Sequence, residues 1–234
     1  MTKVHTNGDQ ETVCYVWAIA SIKGGVGKTT LACNLAAHLA KTHGGDKVLV
    51  MDADKQGTAN DFTTIRYENP ELPDAAKFDC IKVGKGDMRR QVRSNRKNYQ
   101  HIVIDVGGQD NGPLRAALLE ADKMVVPTPP RSFDLWALDG LSEMLLEARE
   151  VNEGLQTQAV INFGRDRGPD NQKSIDHIKE TYPQFNIIDP VIVKREVWAE
   201  AAGHGLSVTE AKPYNPKASH EHNAFLSAIL EGLS

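Results

Sequence analysis

One stretch limits what this chain can fold into more than any other: Ser21 to Thr30, Ser-Ile-Lys-Gly-Gly-Val-Gly-Lys-Thr-Thr. It follows an apolar run, Val13 to Ala20, and leads into a helical pattern with Leu31, Leu35 and Leu39 on one side. Strand, glycine-rich turn and helix N-terminus, in that order, are the setting a phosphate-binding loop needs. Gly24, Gly25 and Gly27 let backbone N–H groups turn inward around phosphate oxygens with no Cβ in the way. A helix opening at Lys28 adds unpaired N–H groups and the positive end of its dipole. In such a loop Lys28 reaches the β- and γ-phosphates and the Thr29 hydroxyl ligates Mg²⁺. The predicted nucleotide-binding segment therefore runs from Gly24 through Val26 to Thr30.

The general pattern, G-x-x-x-x-G-K-[ST], would put its first glycine where Ile22 stands. The chain carries instead a second lysine, Lys23, at the start of the loop. Lys-Gly-Gly-Val-Gly-Lys-Thr-Thr resembles the deviant Walker A motif of the ParA/MinD family of dimeric ATPases. The resemblance implies that Lys23 crosses a dimer interface to the phosphates of the ATP held by the partner subunit.

A length of 234 residues suits one α/β domain, predicted over 13–234 and preceded by a polar tail, Met1 to Thr12. A net charge of −4 excludes a global basic field, so any nucleic-acid surface must be a local patch. Cys14, Cys33 and Cys80 form no C-x-x-C pair and fit reduced thiols in a cytoplasmic protein. No apolar run approaches the ~18 residues of a membrane span, and the N-terminus lacks the apolar core of a secretory signal.

Two further apolar runs end in carboxylates. Lys47 to Met51 leads into Asp52-Ala53-Asp54-Lys55-Gln56-Gly57, and Tyr99 to Asp105 ends in an aspartate followed by Val106-Gly107-Gly108-Gln109-Asp110. Functional groups of parallel sheets sit at the carboxyl ends of the strands, so these acids are placed for a site near Mg²⁺. A solvated acidic loop fits the first pair as well, and a capping aspartate for a helix near Pro113 to Glu120 fits the second. Against the family's D-x-D-P-Q, the resemblance makes Asp52 a support of the metal's water shell and Asp54 the orienter of the attacking water. Asp105 matches the Walker B acid that holds Mg²⁺ through water. Lys55 replaces the usual proline, and Gly107-Gly108 replaces D-x-P-P while keeping the freedom of a switch loop.

Lys82 to Lys97 is basic, with Lys82, Lys85, Arg89, Arg90, Arg93, Arg96 and Lys97 against Asp87. Arg89, Arg93 and Arg96 or Lys97 fall on one ridge if the segment is helical. Such a ridge binds DNA phosphates without reading sequence, and an ordinary solvated helix face fits equally. Val126 to Asp134, followed by leucines at helical spacing, resembles a segment that lies near the dimer interface in relatives; a core helix explains the leucines too. Asn162, at the end of the strand Thr157 to Ile161, stands where the family hydrogen-bonds adenine, and a turn residue is the alternative. Lys194 and Arg195 open a segment similar to one in partition ATPases and are candidates for DNA or partner contact, or surface ion pairs. Pro213 stands where the family's C-terminal loop passes the base. His101 reads as structural, and His220 and His222 as surface residues without the rest of a metal site.

The motifs run in family order over roughly residues 13 to 212. They imply a doubly wound, mostly parallel sheet flanked by helices, binding MgATP as a homodimer that separates after slow hydrolysis. The leading expectation is a small ParA-type partition ATPase without an N-terminal helix-turn-helix domain. Its ATP dimer coats nucleoid DNA non-specifically until a centromere-binding partner stimulates hydrolysis. A MinD-like membrane cycle would need a basic amphipathic C-terminal helix, and His220 to Ser234 has no lysine or arginine. That segment is expected to pack on the core.

Overall fold

Apolar runs that are hydrophobic on both faces line up as one parallel sheet, buried from both sides. The computed structural model describes residues 4–5, 12–84, 86–108, 112–130 and 137–232. Its strands are β1 (Val4–His5), β2 (Thr12–Val13), β3 (Tyr15–Ile19), β4 (Val48–Asp52), β5 (Asp79–Lys82), β6 (His101–Asp105), β7 (Lys123–Thr128), β8 (Gln156–Gly164) and β9 (Asn186–Val193). Its helices are α1 (Lys28–His43), α2 (Thr58–Glu68), α3 (Met88–Asn95), α4 (Gly112–Glu120), α5 (Ala137–Arg149), α6 (Asp170–Thr181), α7 (Glu196–Gly203) and α8 (Pro216–Leu230). The main sheet has the order β5-β4-β6-β3-β7-β8-β9, all neighbours parallel. The chain leaves β3 for one side, returns through β6, and then fills the other side. The crevice at that reversal, outside the strands' carboxyl ends, is where such sheets bind ligands.

Alternate residues of each strand feed two cores. Val16, Ala18, Leu49, Met51, Ile102 and Ile104 face the layer of α3 to α6, where Val92, Leu118, Leu145 and Ile178 meet them. Trp17, Ile19, Val48, Val50 and Val103 face the other layer, where Leu31, Leu35 and Leu39 of α1 pack with Phe62, Trp198, Phe225 and Ile229. α8 spends its apolar face on this core, as expected for the C-terminal segment. Among the described residues no helix is long and apolar enough to cross a membrane.

Several expectations change. Residues 4–5 pair antiparallel with 12–13, so the predicted tail contributes a small β-ribbon. α2, a helix with no clear signature in the sequence, runs to Glu68 and buries Ala59, Phe62, Thr63 and Arg66. A helix whose buried face includes an arginine has weak apolar periodicity and is hard to see in sequence. His222 is buried at 1% exposure, in the register of Ala218, Phe225 and Ile229, with its ring 5.8 Å from that of Trp198. Burial holds it neutral, its pKa lowered to about 4. His220 is exposed, as expected. Arg96 leaves the basic ridge: it is 2% exposed and donates to the carbonyls of Cys14 and Glu120 at 3.0 and 2.7 Å.

Arg66 ties α2 to the turn after α7. Its guanidinium is fully buried, donates to the carbonyls of Ala76 and Gly205 at 2.9 Å each, and forks onto Glu210 at 2.8 and 3.0 Å. Arg66→Met keeps the bulk but strands a carboxylate and two carbonyls. We expect a loss of about 3–5 kcal/mol in urea denaturation; a loss below about 1 kcal/mol would mean that the fork contributes little.

Candidate functional site

Strand register assembles the site before any loop is considered. Ile19 pairs with Asp105, Asp105 with Asp52, and Asp52 with Lys82. These four residues form one row across the carboxyl ends of β3, β6, β4 and β5. The glycine loop leaves β3 at the end of that row.

The loop is closed on itself. Gly25 and Gly27 have φ of 72° and 91°, a region that residues with a Cβ rarely adopt. Lys28 is buried, and its Nζ donates to the Lys23 carbonyl at 2.9 Å, joining the loop's end to its beginning. Burial lowers the pKa of Lys28, against the opposing pull of Asp105 and then Asp54. Gly108 presses against the loop: a Cβ there would lie 2.7 Å from the backbone of Gly24. The glycine pair of the predicted switch segment thus has a steric reason at Gly108.

Each acid has a distinct setting. Thr29 Oγ1 donates to Asp105 Oδ2 at 2.7 Å, while Asp105 Oδ1 is buried with no hydrogen-bond partner among the described residues. Burial pushes the Asp105 carboxyl up to about 7, with the Thr29 hydrogen bond and Lys28 opposing and Asp52 and Asp54 adding to the rise. Asp52, 1% exposed, accepts from the backbone N–H groups of Asp54 at 3.1 Å and Asn60 at 2.9 Å. It braces the turn that presents Asp54. That turn closes from the Gly57 N–H to the Asp54 carbonyl at 3.1 Å, with Gly57 at φ 72°. Lys55 therefore occupies the position where proline is favoured but most residues fit, so its replacement of proline leaves the turn intact.

Beside the loop lies a cavity of about 490 Å³, lined by Gly24, Asp52, Asp54, Lys82, Gly107 and Gly108 among others. Lys82, which the sequence places in the basic run, is one of these wall residues. It reaches the cavity wall because it ends β5 in register with Asp52, a pairing that exists only in the folded sheet. Asn162 lies behind the loop, 2% exposed, and its amide donates to the Val26 carbonyl at 2.7 Å. In this conformation it clamps the loop.

The remaining predicted residues are not gathered here. Pro213 is exposed and lines a separate hollow with Ile65, His204 and Tyr214, none of whose walls belongs to the loop. Arg89 and Arg93 both bind Glu120 Oε1 at 2.9 Å and keep side-chain exposures of 44% and 58%. Arg195 takes the ion-pair alternative: it is 15% exposed and held by Asp166 and Glu221. Lys194 is exposed. Lys85, Gln109, Asp110 and the Arg131 to Asp134 part of the predicted interface segment lie outside the described residues.

The profile of the CobQ/CobB/MinD/ParA nucleotide binding domain matches residues 17–208. Maintenance of carboxysome distribution protein A of Halothiobacillus neapolitanus is 24% identical, over 92% of this chain and 96% of that protein. Sporulation initiation inhibitor protein Soj of Bacillus subtilis is 29% identical, over 62% of this chain and 68% of that protein. The ATP complex of a Cyanothece McdA variant superposes with a TM-score of 0.72 at 19% identity, covering 93% of this chain and 96% of that one. That likeness shows the fold.

The Asp105 carboxyl makes a pH prediction. Its folded pKa, about 7, lies above the ordinary carboxylate value, so between about 4 and 7 the folded state holds a proton that the unfolded state has released. Stability contributed by this group is therefore present at low pH and lost as pH rises toward 7. Asp105→Asn should melt higher than the parent at pH 8 in EDTA, with the gap closing at pH 5. A gap that does not change with pH would show that Asp105 is not held protonated.

Proposed function

The chain belongs to the CobQ/CobB/MinD/ParA nucleotide-binding family, and from that premise we propose that it is an ATPase switch that dimerises around ATP to position a cargo. DNA segregation is the leading case. The observation that carries the reading is the joined set at the strand ends: Lys28 folded onto Lys23, and Thr29 bonded to a buried Asp105. The groups that would meet a triphosphate and its cation already face one another.

Mg²⁺ fits this arrangement, because Asp105 keeps one buried oxygen unpartnered beside a threonine hydroxyl. Thr29 and Asp105 would hold the ion, with Asp52 supporting from behind. When bound, Mg²⁺ offsets the negative charge of the β- and γ-phosphates. Gly24, Gly25, Val26, Gly27 and Thr30 offer backbone N–H groups to the phosphates. Lys28 leaves the Lys23 carbonyl to reach them, and Asp54 orients the attacking water. Lys23 acts across the dimer interface, and Asn162 meets adenine. Hydrolysis is slow and stimulated by a centromere-binding partner, so the ATP dimer persists on the nucleoid until that partner arrives. Sequence-blind DNA contact is assigned to Arg89, Arg93 and Lys194.

A second reading is the positioning of a protein assembly. It is favoured by the similarity to proteins named for carboxysome distribution and by Glu120, which faces both Arg89 and Arg93 and reduces the charge they offer to DNA.

Binding to a random-sequence duplex with ATP, ADP or no nucleotide separates the two. DNA segregation predicts binding that requires ATP, ignores sequence and weakens steeply with salt; an ATP dimer that ignores DNA would favour the second reading. In either case Asp54→Ala should bind ATP and dimerise while turnover falls roughly a hundredfold, and Lys28→Ala should not bind nucleotide. Undiminished turnover in Asp54→Ala would remove the role given to that residue.

A further inference from the structure

The residue after Asn162 has a backbone conformation that its side chain does not favour. Phe163 has φ 60°, the one positive value at a non-glycine among the described residues. The cause is a bulge at the end of β8. Asn162 pairs with Ile192 and Gly164 with Val193, so two steps along β8 answer one along β9 and Phe163 is the extra residue. Gly164 makes this closure possible, since a Cβ there would lie 2.3 Å from Val191 Cγ1. Glycine is the ordinary occupant of a left-handed bulge position, yet here glycine comes one residue late and phenylalanine takes the strained place. Strain of this kind persists where the surrounding structure imposes it, and it concentrates at ligand-binding positions.

The bulge turns the ring toward the loop. Phe163 Cζ stands 3.2 Å from where a Gly27 side chain would begin, beside the Asn162 amide that clamps Val26. Gly27 thus has a second reason to be glycine: a side chain would meet this ring. The ring is half-buried and leaves part of itself at the surface next to the nucleotide loop. A phosphate is served by N–H groups and cations, and an aromatic ring supplies neither. What its π-face does supply is a platform for a flat heterocycle.

We infer that Phe163 is the stacking platform for the nucleobase, set there by the bulge at the end of β8. The inference rests on the nucleotide-binding reading of the loop and adds a residue to it. A π-face accepts any base, so Phe163 contributes affinity for nucleoside triphosphates in general.

The test is calorimetric titration of the full chain in Mg²⁺ with ATP, GTP and inorganic tripolyphosphate. Phe163→Gly relaxes the backbone, so it should melt no lower than the parent, yet bind ATP and GTP about tenfold more weakly. Its affinity for tripolyphosphate, which has no base, should be unchanged. Phe163→Tyr keeps the ring and should retain ATP affinity within about twofold. If Phe163→Gly loses affinity equally for all three ligands, the ring acts only by shaping the loop and the inference is overturned. Unchanged affinity for all three overturns it as well, with the phosphate loop still standing. A parent chain that binds none of the three would overturn the nucleotide-site reading itself, and the inference with it.

Discussion

A carboxyl group buried at the end of a central strand is the constraint on which the site depends. Asp105 lies in the middle of a parallel sheet covered on both faces, and one of its oxygens has only the Thr29 hydroxyl for company. An ionised carboxylate in that position is costly unless something positive approaches. Lys28 opposes that cost, but its ammonium is itself buried and engaged with the Lys23 carbonyl. Two desolvated groups of opposite sign, each incompletely matched, form a site prepared for a ligand that brings both cation and anion.

The scaffold that imposes this burial is simple. Strands apolar on both faces demand helices on both faces, and the two cores share no side chains because alternate residues of each strand go to opposite layers. The order of the strands then brings β3, β6, β4 and β5 into neighbouring positions, so their last residues fall into one row. Loop contacts refine the row: Asp52 uses both carboxylate oxygens to hold the turn that presents Asp54, and Gly108 lets the segment after β6 rest on Gly24.

Several arginines are met by acids that come from other elements. Glu120 takes two arginines, Asp166 and Glu221 take Arg195, and Glu210 takes Arg66. A basic run in the sequence is therefore a poor guide to a basic surface, because the opposing acids come from other elements. Partly exposed pairs such as Arg89–Glu120 are held by modest energies, so an incoming polyanion competes with Glu120 for the guanidiniums and does not find them bare.

The sequence by itself determined the parts whose information is local. Glycines at 24, 25 and 27, the lysine and threonine that follow, and acids that end apolar runs all signal their chemistry within a few residues of chain. The parallel, doubly wound sheet was legible through the resemblance that these motifs carry, and its strands are continuous apolar runs. What only the tertiary structure decided depends on residues far apart in the chain. Arg96 and Arg195 became structural because carbonyls and carboxylates from other elements met them. His222 became a core residue because one face of α8 found the sheet. Lys82 joined the site through its register with Asp52, and Phe163 reached Gly27 through a mismatch of one residue between two strands. A motif records what a segment can bind, but burial, partner and register belong to pairs of segments, and pairs exist only once the chain has packed.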